Sequence, residues 1–114
     1  MSTIYFSTAR TLRWDYSHSI PEKLETLIEK MNFSDRFKED EWVATKTHWE
    51  SHRAFRIIPP VMIRKVMEAV KKTGAKPFAT DTVRIMGLDC IEVANQNGRN
   101  HLSCGAPVVL AERA

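Results

Sequence analysis

The sequence is poor in cysteine, with only Cys90 and Cys104 among its 114 residues and no Cys-x-x-Cys spacing. Neither a disulfide framework nor a zinc ribbon is thereby indicated, and two reduced thiols are expected instead. It also lacks any apolar run near the roughly 18 residues that a membrane span requires. Residues Met1 to Tyr16 contain no long apolar stretch of the secretory kind, so the expected location is cytoplasmic. A charge excess of one sign is nearly missing too: 17 Lys and Arg stand against 14 Asp and Glu. This small, dispersed surplus, without interleaved basic and aromatic residues, argues against nucleic acid as a partner. Internal repeats and low-complexity segments are absent. What remains is the composition of one small globular domain, able to bury a single core.

The chain is organised around Trp42-Val-Ala-Thr-Lys-Thr-His-Trp49. Its first half, Trp42, Val43 and Ala44, reads as the buried part of a strand, and its second half carries Lys46 and His48. Upstream, the β-forming Ile4-Tyr5-Phe6-Ser7-Thr8-Ala9 is expected to be the first strand, followed by a loop over residues 11–18. Ser19 with Glu22 three residues on and Pro21 between them marks a helix start. Ile20, Leu24, Leu27, Ile28 and Met31 then line one helical face. Phe33 and Phe37 suggest a helical turn before Trp42. A second helix opens at Pro59-Pro60, buries Met62, Ile63, Val66, Met67 and Val70, and stops at Gly74 after Lys71 and Lys72.

Lys76-Pro-Phe-Ala-Thr-Asp-Thr82 reads as the next strand, ending in a Thr-Asp-Thr tip. A third helix uses Leu88, Ile91 and Ala94 and closes at Asn97-Gly98; a loop over Asn100 to Gly105 leads to a fourth strand, Ala106 to Ala111. The expected fold is therefore α/β: a small, mostly parallel sheet of about four strands with helices on both faces, in β-α-β-α-β-α-β order. Residues 1–114 would form a single domain, the N-terminal part of a longer protein. No helix follows the last strand, so the rest of that longer chain or a second subunit is expected to cover it.

If the Trp42 and Lys76 strands are parallel, their polar ends meet at one edge, where open α/β sheets bind ligands. Lys46 would be a fixed cation and His48 a proton carrier or metal ligand; alternatively the strand ends at Thr45 and both point to solvent. Asp81, between Thr80 and Thr82, would cap the following turn, pair with Lys46, or hold a divalent metal through water. Arg56 and Arg84 follow the two strands and suit bidentate recognition of an oxyanion. His101 and Cys104, three apart, could share a metal with His48 or Asp81. Cys104 as a nucleophile needs a neighbouring base, and only His101 offers one. The ligand expected from these groups is a small anion, a phosphate or carboxylate, with a divalent metal as the one cofactor the residues could hold.

Several words of the sequence, in order, carry a resemblance: Trp-Val-Ala-Thr-Lys-Thr-His (42 to 48), Ala-Phe-Arg (54 to 56), Ala-Lys-Pro-Phe-Ala-Thr-Asp-Thr-Val-Arg (75 to 84) and Asn-Gly-Arg-Asn-His-Leu-Ser-Cys-Gly-Ala-Pro-Val (97 to 108). Together they resemble the N-terminal third of domain of unknown function 362, a bacterial and archaeal family. The resemblance implies a longer parent chain and an association with redox proteins, since many members carry a ferredoxin-like domain whose cysteines bind iron-sulfur clusters. Those cysteines have no counterpart here, so no cluster is expected within this chain. Where members have glycine and acidic residues, this sequence has the bulkier, more basic Glu50-Ser51-His52-Arg53. An alternative reading is a non-catalytic assembly module of a redox-associated complex.

Overall fold

The computed structural model describes residues 1–49, 55–81 and 90–109, the side chain of Cys90 excepted. The elements are α1 (Ile20–Met31), β1 (Trp42–Lys46), α2 (Pro60–Lys72), β2 (Lys76–Thr80), α3 (Cys90–Gln96) and α4 (His101–Cys104), with 3-10 turns at Tyr16–His18 and Phe33–Asp35.

α1 starts where its cap dictates: the Ser19 hydroxyl accepts from the Glu22 N–H at 3.4 Å, and Pro21 occupies the first turn. Asn32 ends it in the left-handed region, φ 52°. α2 is the central helix. Ile63, Met67 and Val70 are buried on its inner face, and α1 packs alongside through Lys65, whose ammonium reaches Glu22 at 2.8 Å and Glu25 at 2.6 Å. Gly74 follows at φ 86°, where a Cβ would be strained and would sit 3.1 Å from the Glu39 side chain.

β1 and β2 are parallel, with Trp42 opposite Lys76 and Lys46 opposite Thr80. The β1-α2-β2 unit therefore forms as its sequence pattern predicts. Ala79 of β2 packs with Ile63, Met67, Cys104 and Ala106 in the core, and Val108 closes against them.

The four-stranded sheet is not what forms. Among the described residues there is one sheet of two strands, and the order of elements is α-β-α-β-α-α. The segment Ile4 to Ala9 is no strand: Ile4 and Phe6 are 86% and 85% exposed, and Lys23 holds the segment against α1 by donating to the carbonyls of Thr8 and Arg10. β-forming side chains without an edge to pair with do not make a strand. At the other end, Ala106 to Val109 contributes one parallel bridge, Ala79 to Val108. Ala79 donates to the Pro107 carbonyl and Val109 donates back to Ala79, both at 2.8 Å. Pro107 has no N–H with which to extend the ladder, and residues 110–111 lie outside the described region.

Two further expectations are corrected. The sheet does not carry covered faces on both sides: Trp42 is 67% exposed, and Ala44 and Lys46 on the same face are exposed too, so Trp42 and Ala44 are not buried core. The expected loop from Asn100 to Gly105 contains a short helix, α4, because Asn100 and Ser103 form a reciprocal capping box. Arg64 and Lys71 of α2 donate to the carbonyls of Leu102, Ser103 and Gly105 at its C-terminal end, where cations are favoured.

Candidate functional site

Parallel pairing sets Lys46 and Thr80 side by side at the C-terminal ends of the two strands. One more ladder bond, Thr47 N–H to the Thr80 carbonyl at 3.2 Å, carries the register past the end of β1. Asp81 follows immediately and turns inward, with only 4% of its surface exposed. A buried carboxylate must be paired or hydrogen-bonded to keep its charge. Asp81 is both: Oδ1 lies 3.2 Å from the Lys46 Nζ, and Oδ2 accepts from the Trp49 backbone N–H at 3.0 Å. His48 Nδ1 stands 4.0 Å from Oδ2, an ion pair only when the imidazole is protonated. Lys46 and His48 are themselves more than half exposed, so both side chains face solvent from a buried acidic base.

The backbone carrying these groups is pinned from behind. Trp49 is buried, its indole N–H donating to the Thr47 hydroxyl at 3.2 Å. The Asn97 amide donates to the Trp49 carbonyl at 3.0 Å. Arg99, 1% exposed, donates to the carbonyls of His48 at 2.7 Å and Ile58 at 2.8 Å. Burial pushes the Arg99 guanidinium below its ordinary value, and the neighbouring Cys104 and Asp81 oppose that shift. Its Nε finds no hydrogen-bond partner.

The structure thus brings together Lys46, His48, Thr80 and Asp81 of the residues predicted from sequence. Thr80 is half-buried, and its hydroxyl lies 3.5 Å from the Asp81 carbonyl. Arg56 is exposed beyond the segment that follows β1. Thr82 and Arg84 lie outside the described residues. The four-residue metal set does not assemble: Cys104 is sealed in the core, His101 is exposed on α4, and no three His, Cys, Asp or Glu side chains converge among the described residues. Asp81 and His48 are the members of that set that lie close together.

Asn97 and Arg99 were not legible as site residues. Asn97-Gly98 reads as a helix stop and Arg99 carries no signal of its own, because nothing in the local pattern says that this turn reaches a segment some 50 residues earlier. Among the described residues no helix is long and apolar enough to cross a membrane. No family model, curated protein or solved structure matches the chain.

Proposed function

We propose that the C-terminal rim of the β1–β2 pair binds a small oxyanion, a phosphate or a carboxylate, with Lys46 and His48 as the contacting groups and Asp81 as their buried anchor. The observation that supports this reading most directly is the 3.2 Å pair between exposed Lys46 and buried Asp81. It holds an ammonium at a fixed point of the rim while leaving donors open to solvent. The local charge has the right sign. Among the described residues of the rim, Lys46 and Arg99 outnumber Asp81, and a protonated His48 would add a further positive charge. Arg56, exposed in the segment that leads into α2, is proposed as a second anion contact. The resemblance to domain of unknown function 362 extends the proposal to a cytoplasmic, redox-associated protein in which this domain supplies the ligand site.

Phosphate and acetate titrations followed by amide NMR test the reading. Chemical-shift changes are expected to centre on Lys46, His48 and Asp81, and Lys46→Ala is expected to weaken binding at least about tenfold, equivalent to ~1.4 kcal/mol. The same substitution should cost only about 1 kcal/mol of stability, because an ammonium this exposed is replaced at Asp81 by water. Unchanged affinity in Lys46→Ala, or shift changes confined to other surfaces, would reject it.

A second reading, the assembly module, has one observation in its favour. The outer face of the sheet presents Trp42 edge-on to Phe78, ring centroids 6.2 Å apart, with the Lys76 ammonium 5.6 Å from the Trp42 ring. Exposed aromatic residues are enriched in interface cores. Self-association of the chain that disappears in Trp42→Ser would favour this reading.

A further inference from the structure

The residues from Thr47 to Trp49 are bound on two sides. On one, the Trp49 N–H is held by Asp81. On the other, two consecutive carbonyls, those of His48 and Trp49, accept from Arg99 and Asn97. The two donors leave a single turn. Gly98 between them takes φ 76°, and the Arg99 N–H closes the end of α3 by donating to Ala94 at 2.7 Å. Left-handed backbone at Gly98 lets side chains on both sides of it address one short target.

The chemistry of Arg99 separates its role from an ordinary buried ion pair. Its hydrogen bonds run to the carbonyls of His48 and Ile58 and, at 3.5 Å, to the Thr47 hydroxyl. A buried cation bonded to backbone carbonyls acts on chain position. Here it ties the segment leaving β1 to the one entering α2, since Ile58 precedes the α2 cap at Pro59. The fork geometry of a guanidinium serves two separated acceptors at once, which a single ammonium does less well.

We infer that Arg99, assisted by Asn97, is the positioning residue of the rim. It holds Thr47 to Trp49 so that Lys46 and His48 share one ligand position over Asp81, and it acts through those residues without touching the ligand. The inference rests on the anion-site reading for its ligand effect, and on the hydrogen bonds alone for its effect on the backbone.

Arg99→Lys keeps the charge and removes the fork; Asn97→Ala removes the second tie. The test combines amide hydrogen exchange with phosphate titration of the full chain. In Arg99→Lys the Trp49 amide is expected to exchange at least tenfold faster while amides of α1 and α2 keep their rates, and phosphate affinity is expected to fall several-fold. Asn97→Ala should do the same to a lesser degree and serves if Arg99→Lys does not fold. Unchanged Trp49 exchange in a folded Arg99→Lys overturns the inference, as does a uniform acceleration of all amides, which would mark Arg99 as a general structural residue. Selective loss of Trp49 protection in a chain that binds no phosphate supports the clamp and removes the anion reading. Phosphate binding that is lost in Lys46→Ala but intact in Arg99→Lys does the reverse.

Discussion

Asp81 is the residue on which the local order turns, because a carboxylate 4% exposed must spend its acceptors on named partners. Its oxygens reach Lys46, His48 and the Trp49 N–H. Asp81→Asn keeps the volume and loses the charge, so the Lys46 pair is gone and one oxygen becomes a donor facing cations. A loss of about 1–3 kcal/mol is expected, measured by urea unfolding. Trp49→Ala is expected to cost more, about 3–5 kcal/mol, because it empties a large buried site. If Asp81→Asn unfolds at the wild-type urea midpoint, the carboxylate is not held as its neighbours suggest. At this scale the sequence was informative in part. Lys46, His48 and Asp81 were legible because two parallel strands ending in polar tips place those tips together. Arg99 was not, since its partners come from tertiary folding alone.

Between elements, the α1–α2 contact combines a charged cluster with part of an apolar stripe. Ile28 is buried on α1, whereas Ile20 and Met31, predicted on the same buried face, lie open. Lys65 bridges Glu22 and Glu25, and Lys72 approaches Glu25 at 3.7 Å. The Lys65 hydrogen bond holds the Glu25 carboxyl below its ordinary value. A carboxyl depressed on folding contributes stability that is complete above its unfolded pKa of about 4.3 and is lost as pH falls through the lower folded value. Acidification from pH 5 toward the folded pKa is therefore expected to lower the thermal midpoint, and Lys65→Met should flatten that dependence. Equal acid sensitivity in the two proteins would assign it to other carboxylates. The partial exposure of the pair keeps the effect modest. The start of α1 and the stop of α2 were readable here because caps are local chemistry: Ser19 and Gly74 act on backbone within a few residues. Which part of an apolar stripe finds a neighbour is not local.

For the whole molecule, the decisive contrast lies between two β-rich segments of similar composition. Trp42 to Lys46 became a strand because Lys76 to Thr80 runs beside it and α2 covers the inner face; Ile4 to Ala9 did not, although its residues are equally good strand formers. Removing residues 2–9 is therefore expected to change the free energy of unfolding by less than about 1 kcal/mol, since exposed side chains contribute little burial. A larger loss, read by the same urea titration, would show that these residues pack into the body. By itself the sequence determined what depends on near neighbours: where α1 and α2 begin, where α2 and α3 end, and that one strand-helix-strand unit would run parallel with its polar ends together. Only the tertiary structure decided the number of strands, the exposure of Trp42, and the attachment of Asn97 and Arg99 behind the rim. Those outcomes turn on which distant surfaces meet, and a pairing edge or a buried acceptor exists for a residue only once the rest of the chain has supplied it.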